Sequence, residues 1–156
     1  MDNFEYRIEE ITIDNVESAL SLIWNVFNEF ESSDYLEEGI KTFKDFIEYN
    51  NIKEMMEKGI LRIWGCYDDE KIIGVLAAKN INHISMLFVD KEYHRKGIAR
   101  KLLETLILVC KSVDKEEITV NSSPYAVSIY HKLGFADKGT EQTIDGIRFT
   151  PMKLLI

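Results

Sequence analysis

At Ile60 the apolar residues of this chain change period. Upstream, Val16, Leu20, Ile23, Val26, Phe27 and Phe30 recur at helical spacing, and a second helical region from about Tyr35 to Lys58 carries Ile40, Phe43, Phe46, Ile47, Ile52 and Met55. Downstream, Ile60 to Tyr67 and Ile72 to Asn80 read as strands joined by the acidic turn Asp68-Asp69-Glu70-Lys71, a hairpin. Ile84 to Val89 (ISMLFV) is apolar at every position but Ser85, as a central strand covered on both faces would be. A chain that passes from a period of 3.6 to strand-like runs has to pack helices on a sheet.

The other segments fit the same scheme. Phe4 to Ile13 alternates well enough for a first strand, and Asp14 with Glu17 three residues on forms a capping-box-like start for the helix that follows. Ile98, Leu102, Leu106 and Val109 mark another helix, Glu117 to Val120 a short strand, and Tyr125 to Leu133 a helix with Pro124 at a first-turn position and Gly134 ending it. Phe135 onward and Ile147 to Leu155 predict a last hairpin centred on Asp145-Gly146. The expected order is β-α-α-β-β-β-α-β-α-β-β, an α/β (α+β) fold with a mixed sheet of about seven strands. No linker or repeat interrupts it, so residues 1–156 are expected to form a single domain.

Composition narrows the function. With 27 Asp plus Glu against 19 Lys plus Arg, the formal net charge is -8, which disfavours nucleic acid as a partner. Cys66 and Cys110 lie in apolar runs without CxxC spacing and read as reduced core thiols. MDNFEYRIEE has no basic leader, and no apolar run reaches the roughly 18 residues of a membrane span, so the expected location is cytoplasmic, with no membrane partner. GxGxxG, GxSxG and HExxH are missing, and His83, His94 and His131 show no recurrent metal spacing, so no metal is expected.

Against the acidic background, YHRKGIARKLL (Tyr93 to Leu103) gathers positive charge around one glycine just before a helix. A helix N-terminus presents free backbone N–H groups, Gly97 and Ala99 leave them open to approach, and Arg95 and Lys96 add charge at the rim: a place for a phosphate or pyrophosphate.

FVDKEYHRKGIARKLL followed by VNSSPYAVSIYHKLGF (Val120 to Phe135) closely resembles the GCN5-related N-acetyltransferase (GNAT) superfamily. Gly97 and Ala99 match its pyrophosphate loop, with His94 standing where the family has Gln or Arg. Asn121 and the Tyr130-to-Phe135 segment match its second block. The resemblance implies a GNAT-type, mostly antiparallel twisted sheet with helices on both faces, and transfer of an acetyl group from acetyl-CoA directly to a primary amine on a small molecule or peptide. It further implies a cosubstrate arm held between splayed strands Ile84 to Val89 and Glu117 to Asn121. Main-chain groups of Leu87, Phe88 and Val89 would bond that arm, and a backbone N–H near Leu87 would face the thioester oxygen. His94, Arg95, Lys96, Gly97, Ile98 and Ala99 would hold the pyrophosphate, and Asn121, Tyr125, Ala126 and Tyr130 would flank the acyl end.

Tyr130 matches the family's general acid. Many relatives carry a glutamate base on the strand that here reads ISMLFV, and this chain has none there. His83 is the nearest titratable group to that strand and a candidate base. Acidic residues of FNEFESSDYLEEG (Glu29, Glu31, Asp34, Glu37, Glu38) fall where relatives build one wall of the acceptor site, and one or two are expected to face substrate. The missing strand glutamate keeps a second reading open, an acyl-CoA-binding regulatory module with weak catalysis. Homodimers are common in the superfamily, so a second copy is a possible partner.

Overall fold

The computed structural model describes residues 4–156; the leader expectation rests partly on residues 1–3, outside the described residues. In chain order the elements are β1 (Arg7–Glu10), α1 (Val16–Phe30), α2 (Glu37–Phe46), α3 (Tyr49–Glu57), β2 (Leu61–Asp68), β3 (Lys71–Lys79), β4 (His83–Val89), α4 (Ile98–Ser112), β5 (Glu117–Ser122), α5 (Val127–Lys132), β6 (Ala136–Asp137), β7 (Gln142–Ile144) and β8 (Ile147–Leu155). They form an eight-stranded sheet in the order β1-β2-β3-β4-β5-β8-β6, with β7 also paired to β8. Among the described residues, β4 and β5 make the parallel pairing, and the other pairings are antiparallel.

Helices cover both faces because the central strands are apolar on both. In β3, Val75 and Ala77 face a core with Ile23 and Phe27 of α1 and Ile52 of α3, while Leu76 and Ala78 face one with Leu102, Leu103 and Leu106 of α4. Each fully buried leucine of this kind contributes about 1.5–3 kcal/mol.

Four local expectations change. The first strand shrinks to Arg7–Glu10, and Asp14 lies inside a short 3-10 turn, Ile13–Asn15, so Asn15 occupies the N-cap position of α1 and no side-chain cap bond forms. The second helical region divides at Ile47-Glu48. There the Glu48 carboxylate accepts from the Asn51 N–H at 3.3 Å, while the Asn51 amide donates to the Phe46 carbonyl at 2.7 Å, so side chains serve both ends of the break. Pro124 sits in a turn ahead of α5 rather than in its first turn, because the Ser123 carbonyl takes the Ala126 N–H at 3.1 Å. The last hairpin is split into β6 and β7. The gap between them faces Thr150 and Pro151, and Pro151, whose carbonyl accepts from Lys138 N–H on that side, has no N–H to give.

Candidate active site

Pairing between β4 and β5 covers only His83↔Thr119 and Ile84↔Val120. One residue later β4 bulges: Ala77 pairs with Met86 and Ala78 with Ile84, leaving Ser85 extra. The bulge re-aims the strand, so that Ile84 belongs to the α4 core and Met86 and Phe88 to the α1 core. Beyond Ile84 the two strands part, and a cleft of about 270 Å³ opens between them. Ser85 to Phe88 line one side and Val120 to Ser123 the other; Ala126 and Tyr130 close one end, and Glu31, Tyr35, Thr42, Phe43, Phe46 and Ile147 form the far wall.

At the end of β4, His94 turns its Nε2 back to donate to the Val89 carbonyl at 2.8 Å. Arg95 and Gly97 both take left-handed backbone, φ 65° and 79°, which swings the chain into α4. Gly97 is the N-cap of that helix, and a Cβ there would meet nothing within 4 Å, so its need is for the dihedral and the space beside it is open. Ile98 is buried under the loop, while Arg95 and Lys96 are exposed.

Phe30, the last residue of α1, ties this loop to the α5 side: its ring lies 5.2 Å from His94 and stacks on Tyr125 at 5.3 Å. Glu31 follows directly and is held over the cleft by that clasp. It is only 8% exposed. Burial raises its pKa to about 7, with the Asp34 charge adding to the effect and a hydrogen bond from the Ser123 hydroxyl opposing it. Its place at the C-terminus of α1, where helix carbonyls point, disfavours a carboxylate further. Ser123 is fixed in turn, its hydroxyl oxygen accepting the Ala126 N–H at 3.3 Å.

Tyr130 is 5% exposed and packs edge-on to Phe135 at 5.3 Å. Burial pushes its phenol far above the ordinary value, and Glu31 across the cleft adds to the shift. Tyr35 is pushed up as well, by burial first and then by Glu31 and Asp34. The cleft therefore holds one carboxyl poised to titrate near neutrality among phenols that stay protonated.

The structure brings Leu87, Phe88, Asn121, Ala126 and Tyr130 to the cleft lining, and sets the His94 to Ala99 loop beyond the end of β4. Val89 and Tyr125 lie beside it, through His94 and Phe30. His83 is elsewhere: at the start of β4, where the strands are still paired, its Nδ1 lies 2.8 Å from Thr119 Oγ1, and burial lowers its pKa. Of the acidic residues on the α1–α2 side, Glu31 lines the cleft, and Glu29 instead pairs with Lys91 at 3.0 Å. Cys66 and Cys110 are buried free thiols, their pKa values raised by burial.

Sequence reading missed two features. Phe30 as a clasp had no motif to announce it. Gly39 and Gly146 are in backbone contact: a Cβ on Gly39 would lie 2.3 Å from the Gly146 carbonyl oxygen, so α2 sits directly on the β7–β8 turn and both close the far wall. The adjacent signals were the Asp145-Gly146 turn and a glycine inside an otherwise regular helix, neither of which names its partner.

A family model described as Acetyltransferase (GNAT) domain matches residues 31–156. The chain is 36% identical over 90 residues to the uncharacterized N-acetyltransferase YafP of Escherichia coli, a match covering 57% of this chain and about half (54%) of that relative. Among solved structures it is similar to PaiA N-acetyltransferase from Thermoplasma acidophilum in complex with coenzyme A, with a TM-score of 0.81 and 20% identity over 97% of this chain and 99% of that one. A GCN5-related N-acetyltransferase from Rhodopseudomonas palustris also has a TM-score of 0.81, at 17% identity, covering 96% and 95% of the two chains. No helix among the described residues is long and apolar enough to cross a membrane, and no group of three or more His, Cys, Asp or Glu among them could hold a metal ion.

Proposed function

Because this chain belongs to the GNAT acetyltransferase family, we propose that it moves an acetyl group from acetyl-CoA directly onto a primary amine, with Glu31 taking the amine's proton and Tyr130 supplying one to the departing sulfur. The observation that carries this reading is the cleft at the β4–β5 splay, which places a buried carboxyl and a buried phenol in one small space.

The residues fit the cosubstrate. Where the strands part, facing backbone groups are left for another chain of amides to bond, and the α4 N-terminus with Arg95 and Lys96 offers N–H groups and charge to a pyrophosphate. Acetyl-CoA supplies the activated thioester. A main-chain N–H near Leu87, just past the Ser85 bulge, serves as a fixed donor for oxygen charge that develops on attack.

Glu31, ionised near neutrality, accepts the proton of an incoming ammonium. The free amine then forms its bond to the acetyl carbon as the carbon–sulfur bond breaks. Tyr130 gives its proton to sulfur, and the second amine proton replaces it. Once Glu31 is protonated, its charge no longer holds the Tyr130 proton in place, so the base step eases the acid step. His83, bonded to Thr119 away from the lining, is given no proton to move.

Calorimetric titration with acetyl-CoA, followed by thiol release in the presence of amines, tests the reading. Saturable binding and amine-dependent release are expected; absence of binding at millimolar acetyl-CoA overturns it.

A further inference from the structure

The far wall of the cleft carries more than a proton acceptor. Tyr35, Thr42, Phe43, Phe46, Phe88 and Ile147 surround the Glu31 side, and Glu31 is the one charged residue lining the cleft among the described residues. The rings are already fixed: Phe43 stacks on Phe27 at 4.1 Å and meets Phe88 edge-on at 6.0 Å, and Tyr35 meets Phe27 edge-on at 5.0 Å. From this lining we infer that the acceptor is a small monoamine with an apolar body, an arylalkyl or branched alkyl amine, and that the cleft selects against polyamines and amino acids. The inference rests on the acetyltransfer reading above.

Charge decides the selection. A single ammonium entering the cleft meets the one carboxylate of the lining, a charge-assisted partner for it. A second ammonium on the same molecule would find no second carboxylate in the lining, since Asp34, Glu37 and Glu38 all lie outside it. An amino acid would bring its carboxylate beside Glu31, with no cationic side chain lining the cleft to receive it.

The test is acetyl-CoA-dependent thiol release by the full chain with phenethylamine, spermidine and phenylalanine in parallel, beside calorimetric binding of acetyl-CoA. The expected kcat/KM for phenethylamine exceeds the other two by about a hundredfold or more. In a Thr42→Glu variant, which places a second carboxylate in the lining on a solvent-reaching helix, the spermidine-to-phenethylamine ratio is expected to rise by about tenfold. With acetyl-CoA bound, preference for spermidine or phenylalanine, or no release with any of the three, overturns the acceptor class while leaving the fold's cosubstrate reading in place. A native-like Thr42→Glu melt with an unchanged ratio also overturns it. Failure to bind acetyl-CoA removes the acetyltransfer reading and this one together.

Discussion

The two sides of the cleft are made by different means. On the proposed cosubstrate side, a strand end, a left-handed loop and a helix start lie within a few residues of one another, and the groups offered are mostly backbone. On the proposed acceptor side, Glu31 and Tyr35 come from the segment between α1 and α2, Phe43 from α2, Ile147 from the last hairpin, and Ser123 and Tyr130 from the β5–α5 segment, and the groups offered are side chains. Backbone sites tolerate substitution of their side chains, whereas side-chain sites depend on the identity of each. On the proposed reading, one wall can therefore stay constant in chemistry while the other sets the acceptor.

That difference predicts unequal mutational effects. Glu31→Gln should cause the largest, lowering kcat/KM at neutral pH by roughly a hundredfold to ten-thousandfold while the acetyl-CoA Kd changes little. The same variant should be more stable than the native chain. A carboxyl whose folded pKa is raised disfavours the folded state most at pH above that value, and the penalty fades as pH falls to the unfolded value. Glu31→Gln should thus gain on the order of 3 kcal/mol above about pH 7 and nothing below about pH 4, read from denaturant midpoints at several pH values.

Tyr130→Phe follows, with kcat down about a hundredfold and acetyl-CoA affinity retained; an unaltered turnover would remove the phenol from the mechanism. On the other wall, Arg95→Ala with Lys96→Ala should weaken acetyl-CoA by only about tenfold, with the loss shrinking at high salt and the amine KM unmoved. Gly39→Ala should be the smallest in rate and visible mainly in stability. Its Cβ would collide with the Gly146 carbonyl, costing about 1–3 kcal/mol and raising the amine KM a few-fold without touching acetyl-CoA binding. Equal effects of Gly39→Ala on both ligands would dissolve the division between the walls.

The strand, loop and helix start of the proposed cosubstrate wall were the part legible in the sequence, and for a local reason. Gly97, Ala99 and the apolar run of β4 act through their near neighbours, and the resemblance of the two blocks to the GNAT motifs, rather than spacing alone, singled out the loop. The α1, α4 and central-strand assignments held for the same reason, since period survives tertiary packing. What failed was set by distant contacts or side-chain competition. Glu31 was one of five acidic residues of which one or two were expected to face substrate, and which one lines the cleft depended on Phe30 closing on His94 and Tyr125 beside Ser123. The break between α2 and α3 turned on Asn51 reaching back to Phe46, and the split of the last hairpin on a proline in the opposite strand.

The central claim is that Glu31 is the base of an acetyltransfer cleft, and a pH profile of kcat/KM for phenethylamine meets it most directly. Glu31 must be ionised to act, and its neighbours set where that occurs: Asp34 raises the value, the Ser123 hydroxyl opposes, and Tyr35 and Tyr130 remain neutral phenols. The native chain should lose activity as pH falls through about 7 and hold a plateau above it, below the amine's own titration near pH 10. In Glu31→Gln the break near 7 should vanish and the residual rate should climb with the free amine alone. The same break in both proteins would contradict the account.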